Sequence, residues 1–157
     1  MIQRPQSIML GIIILLMLAS LFLPNWAKTS QDNISTAVQT AFSLSVNQAG
    51  AETSHARYHL AIGMLLVAGL AGFSISQFKN RLLQMKIGFG ITLSIAITLV
   101  FLMMGANEGE ALVDPKVAGT NYKTGFYLMF IALFSNIISN RLIRKDEHLV
   151  RSMDRIR

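Results

Sequence analysis

Thr124–Arg157 reads TGFYLMFIALFSNIISNRLIRKDEHLVRSMDRIR. Up to Asn140 it has no charged residue. Beyond Asn140 it carries six of the chain's fourteen Lys and Arg residues. An apolar run joined to a basic one is the pattern of a membrane span leaving the bilayer on its cytoplasmic side. Written as a helix, the basic part has two faces. Leu142, Leu149 and Ile156 recur at seven-residue spacing, with Ile143, Val150 and Met153 beside them, so one narrow stripe is apolar. Arg141, Arg144, Lys145, Glu147, His148, Arg151 and Arg155 occupy the rest. A helix this short is marginal alone in water, so the stripe needs a surface. Lipid headgroups, the same tail of a second copy, or a soluble partner would each supply one. A basic amphipathic helix beside a span is expected on the anionic inner leaflet.

The same pattern repeats along the chain. Of its 157 residues, 52% are hydrophobic and only 14% charged, against about 25% in ordinary soluble domains. The charges are segregated: Gln6–Ala27, Leu60–Phe78, Ile87–Asn107 and Thr124–Asn140 contain none. About 20 helical residues cross a hydrocarbon core of about 30 Å, and each run is close to that length. The expected architecture is an all-α membrane protein: four transmembrane helices in an antiparallel bundle, with spans at about 7–26, 60–78, 87–104 and 124–140. Outer loops then cover 27–59 and 105–123, and a cytoplasmic amphipathic helix covers 141–157. The first run resembles a signal peptide in form, but Pro24-Asn25-Trp26-Ala27 is a poor match to a cleavage site, so it is read as an uncleaved span.

Charge sets the orientation. Arg4, the Lys79–Lys86 connector and the tail hold ten Lys and Arg residues, and the other two loops hold four: Lys28, Arg57, Lys116 and Lys123. The positive-inside rule puts both termini in the cytoplasm of a cell with the chain in its inner membrane. Trp26, Tyr58, Tyr122 and Tyr127 all fall at the outer ends of spans, where aromatic rings sit at headgroup level.

Small residues suggest how the spans pack. Ala68, Gly72 and Ser76 recur four apart in the second run, and Gly90, Ser94 and Thr98 in the third. Such rows let helix backbones approach closely in lipid, which puts the second and third helices at the packed centre. Gly88-Phe89-Gly90 reads as helix packing. Asn136 is expected to bond a neighbouring helix. In the first outer loop, Val38, Thr40, Phe42, Leu44 and Val46 alternate with Ala37, Gln39, Ala41, Ser43 and Ser45, the period of a half-buried strand. A strand needs a partner. Ala111–Val113 and Val117–Gly119 of the second outer loop are the expected ones, giving a small β cap over the helices.

Chemistry is sparse. No ionisable residue lies in the middle of any run, where proton relays and ion pathways keep them. No nucleophile–base order and no phosphate-cradling loop occurs, so neither an enzyme nor a cofactor is expected. The chain has no cysteine, which removes thiolate metal sites and thiol nucleophiles. Net charge is +6, but the basic stretches lack interleaved aromatics and flank spans, so nucleic acid is not a partner. Glu52, His55 and His59 read E-x2-H-x3-H and would share one face of a helix, with Glu108, Glu110 and Asp114 in the facing loop. The plainer reading is solvated residues flanking an interface, and no metal is expected.

The two ends also carry a resemblance. Met1-Ile2-Gln3-Arg4-x-Gln6-Ser7 runs straight into an apolar span, and Asn140-Arg141-x-Ile143-Arg144-Lys145-Asp146-Glu147 leads on through Leu149-Val150-Arg151-Ser152 to Asp154-Arg155-x-Arg157. With four spans between them, the chain resembles the bacterial membrane-protein family described as domain of unknown function 4293. The resemblance implies a small multi-pass inner-membrane protein and carries no catalytic residues. The function expected is therefore a structural or interaction subunit whose Arg141, Arg144, Lys145, Arg151 and Arg155 contact anionic lipid or a cytosolic partner. The alternatives are an oligomeric transport or channel component and an outward-facing metal or ligand site.

Overall fold

The computed structural model describes residues 5–30, 34–48, 50–78, 80–113 and 121–154, with side chains of 148–154 outside that description. Among the described residues, four helices and four strands follow the order α1 (Pro5–Phe22), β1 (Trp26–Thr29), β2 (Ser35–Gln39), β3 (Ser43–Gln48), β4 (Ala51–Ala56), α2 (Tyr58–Ser76), α3 (Arg81–Val113) and α4 (Thr124–Asp154). All four helices are long and apolar enough to cross a membrane.

Helix ends follow local chemistry. Pro5 opens α1, a position where its missing N–H costs nothing. Pro24 disfavours helical backbone at Leu23, so α1 stops at Phe22 and the apolar run's last residues do other work. Trp26 begins β1 and is fully buried against Ala37, Leu44, Val46 and Ala106. It does not face outward as an interfacial ring would. Most of the Lys79–Lys86 connector is helix, since α3 starts at Arg81 and runs 33 residues, about 50 Å at 1.5 Å per residue. No break separates the fourth apolar run from the tail. One helix spans both, because no Gly or Pro interrupts Ser139–Asp154.

The helices close a ring. α1 packs on α2 and α4, α2 on α3, and α3 on α4, with α1–α4 the most extensive pair. The centre is therefore shared, not owned by α2 and α3. Leu10, Ile13, Met17, Met64, Ile91 and Met129 are among its fully buried side chains. The Ala68/Gly72/Ser76 row does not form a seam with α3: Ala68 packs against the shared core, Gly72 has only Ile14 of α1 near it, and Ser76 is exposed. The close approaches lie elsewhere, at Gly63 against Thr98 and Gly88 against Asn140. Asn136 behaves as expected: its Nδ2 donates to the Gly88 carbonyl and to Thr92 Oγ1, both at 2.8 Å. Ser20 Oγ donates to the Gly125 carbonyl, and Ser139 Oγ to that of Gln6. Only 33–39% of each apolar helix window is buried. Leu15, Phe22, Ile62, Leu93, Val100 and Phe134 are among the large apolar residues left outside.

The strands form one antiparallel sheet in the order β1-β2-β3-β4. The alternating run 37–46 is not one strand but a hairpin. Thr40 N–H donates to the Ser43 carbonyl at 2.9 Å, and Thr40 Oγ1 accepts from the Phe42 and Ser43 amides. A threonine hydroxyl bonding backbone two and three residues on favours a turn over continued strand. The turn shifts the phase: Ala37 and Gln39 are buried before it, Leu44 and Val46 after it. The partner strands all come from the first outer loop. Ala111–Val113 belongs to α3, and Val117–Gly119 lies outside the described residues. The second outer loop joins through Asn121–Lys123 instead: Ala27 N–H donates to the Asn121 carbonyl and Lys123 N–H to that of Asn25.

The sheet rests on the far third of α3. Gly105 makes room for the buried Gln39 side chain, and a Cβ on Gly109 would lie 2.7 Å from Trp26 Cζ3. The ring of Trp26 is enclosed and has nowhere to go. Gly109→Ala is therefore expected to lower stability by about 1–3 kcal/mol through overpacking, whereas Gly69→Ala, on an open helix face, is expected to cause no loss. Thermal unfolding of both variants in detergent checks the contrast.

Candidate functional site

Charged side chains gather at the two ends of the helices, and the ends differ. At the sheet end the charges are paired. Lys28 Nζ donates to Glu110 Oε1 at 2.9 Å, with the lysine side chain 2% exposed and the glutamate 26%. Arg57 pairs with Glu108, whose side chain is 57% exposed. Lys28 lies on β1, Arg57 precedes α2, and both acids lie on the last turns of α3. The two pairs stitch the strand segment to the helix that supports it.

The metal-ligand pattern is taken apart by the same architecture. Glu52 and His55 lie on β4, an exposed edge strand, and His59 in the first turn of α2. In a strand, residues three apart point to opposite faces, so the shared helical face does not exist. His59 instead meets Phe101 edge-on, ring centroids 5.3 Å apart. Glu108 and Glu110, the facing acids, are held by Arg57 and Lys28, and Asp114 lies outside the described residues. Among the described residues, no three His, Asp or Glu gather as a metal cluster.

At the other end the basic residues stand open. Arg141, Arg144 and Lys145 are exposed on α4. Arg151 is on the helix with its side chain undescribed, and Arg155 lies outside the described residues. The start of this basic segment is fixed to the bundle: Ile143 is buried, and Arg81 Nη1 donates to the Asp146 carbonyl at 2.6 Å. The apolar stripe thus has an occupant in its first turns, with Ile143 rather than Leu142 at its centre. Between α3 and α4, a notch of about 240 Å³ is lined by Met85, Phe89, Thr92, Ile137, Asn140, Arg141 and Arg144. The sequence gives no sign of the notch beyond Gly88, whose lack of a side chain admits Asn140.

These features define a small protein of four apolar, membrane-length helices with a four-stranded antiparallel cap and a basic opposite end. The chain belongs to the family described as Domain of unknown function (DUF4293), whose family model matches residues 2–156. That description names no activity. No curated protein matches the chain.

The two ion pairs are expected to differ in weight. Glu110→Ala removes one charged partner of a buried ammonium and is expected to cost about 1.5–3 kcal/mol, the range for a hydrogen bond to a charged group. Glu108→Ala removes an exposed partner and is expected to cost at most about 1 kcal/mol. Unfolding of the two variants, measured side by side, separates the cases.

Proposed function

We propose that the chain is a multi-pass protein of a bacterial inner membrane. Its four helices cross the bilayer as an antiparallel bundle, the sheet caps the outer surface, and both termini are cytoplasmic. In this reading it is a structural or interaction subunit without catalysis, and the basic end of α4 engages anionic headgroups of the inner leaflet.

The observation that carries the reading is the unbroken α4. An apolar segment passes into a basic one within a single helix, so the cations sit at a fixed height relative to the apolar band. Clusters of Lys and Arg immediately beyond a span are attracted to anionic lipid by about 1 kcal/mol each. The outward-facing apolar side chains support the same reading. Helices apolar all round belong in a core or in lipid, and a patch this extensive does not persist on a soluble monomer.

The test is crosslinking in native membranes, comparing the full chain with one ending at Glu147. That cut keeps Ile143 and the Arg81–Asp146 bond, so the bundle stays intact. Lipid engagement is expected to leave the protein crosslinks of the two chains alike. A protein partner captured by the full chain and lost from the shorter one would replace lipid with that partner.

A further inference from the structure

We propose that the notch between α3 and α4 is a binding site for one anionic phospholipid, with the headgroup phosphate between Arg141 and Arg144 and an acyl chain laid over Phe89 and Ile137. The proposal rests on the membrane orientation given above and adds a defined site to it.

The order of the lining residues makes the argument. Moving along α4 from the basic end toward the apolar segment, the notch presents Arg144, Arg141, Asn140 and then Ile137. Seven residues separate the first from the last, about 10 Å of helix. Moving the same way on the facing helix, it presents Met85, Phe89 and Thr92. On α4 the polarity gradient is that of an amphiphile, with charge at the rim, an amide below it and Ile137 beyond, and the facing wall adds the ring of Phe89. A soluble anion would leave Phe89 and Ile137 unused, and an apolar ligand would leave two guanidinium groups unused.

The charges suit a phosphate. Arg141 and Arg144 are three apart, hence neighbours on one helix face. Guanidinium presents a rigid fork that matches phosphate oxygens. The ion pairs among the described residues join Lys28 to Glu110 and Arg57 to Glu108, and neither Arg141 nor Arg144 takes part in one. Basic recesses between helices on the cytoplasmic side are suited to lipid headgroups. A recess of about 240 Å³ has room for a headgroup phosphate and the first methylenes. The remaining chain then runs along Phe89, which is 71% exposed.

The notch is also held in shape. Asn136 ties Thr92 and the Gly88 carbonyl to α4, both at 2.8 Å. Asn140 fills the space that Gly88 leaves. Arg81 secures α4 about half a turn past Arg144 through the Asp146 carbonyl. These contacts fix the two walls before any lipid arrives, which lowers the ordering cost of binding.

Native mass spectrometry of the detergent-purified full chain tests the site, with phosphatidylglycerol and phosphatidylcholine as probes. One phosphatidylglycerol is expected to be retained at a concentration at least tenfold lower than phosphatidylcholine. Arg141→Gln/Arg144→Gln is expected to bring the two lipids to near parity. Lys86→Gln removes charge from an exposed position outside the notch and is expected to keep the preference, whereas Arg144→Gln alone is expected to lower it. Glycerol phosphate at millimolar concentration is expected not to compete. Equal loss in Lys86→Gln and Arg144→Gln would overturn the notch and leave general attraction to the inner leaflet standing. Competition by glycerol phosphate would identify a soluble anion and overturn the lipid. Wild-type protein without any anionic preference would overturn the notch and the lipid contact together.

Discussion

α3 is too long for the layer it would cross, and the molecule is arranged around the surplus. At about 50 Å it exceeds a hydrocarbon core of about 30 Å by almost four turns' worth of rise. Its first turns hold α4 through Arg81 and Gly88. Its middle packs on α2 at Thr98 and Gly63. Its last turns carry Gly105 and Gly109, on which the sheet sits, and Glu108 and Glu110, to which the strand segment is bound. From Gly88 to Ala106 is about 27 Å along the axis, so the notch and the sheet lie at opposite ends of one rigid rod. Shortening that rod would separate the cap from its support.

Some polar groups inside the helix layer bond their own helix, as Thr98 and Ser135 do, and others join one segment to another. Asn136, Gln84, Ser20 and Ser139 each donate to a backbone carbonyl of another segment. In an apolar surrounding such a bond has little competition from water, and an unsatisfied donor costs several kcal/mol. These bonds choose one packing among the many that apolar surfaces alone would accept. The glycines act with them, since Gly63 and Gly88 admit the Thr98 and Asn140 side chains where an added Cβ would meet them.

The helical part of the fold is legible in sequence because charge exclusion over about 20 residues leaves few alternatives. The cap is only half legible. Alternation over 37–46 announces β structure, but two strands joined by a tight turn alternate almost as one does. Only the hydroxyl of Thr40 marks the bend, and threonine is equally at home within strands. Trp26 reads as an interfacial ring from its place beside an apolar run. Its burial follows from Gly109, 83 residues away in the chain, and no local pattern reports that contact. The Glu52, His55 and His59 pattern depended on a helix that β4 replaces. The basic end was visible as composition, whereas the notch needs α3 and α4 side by side, with Phe89 and Arg141 facing one recess.

The account turns on the sheet and the basic end lying on opposite sides of a bilayer. The absence of native cysteine permits a direct measurement. Single cysteines replace Glu52, on the exposed edge strand, or Lys145, beside the notch. Spheroplasts of a bacterial host are then treated with a membrane-impermeant maleimide. The expected result is labelling of Glu52→Cys from outside and of Lys145→Cys only after the membrane is opened. Labelling of both from outside, or of Lys145→Cys alone, would contradict the account.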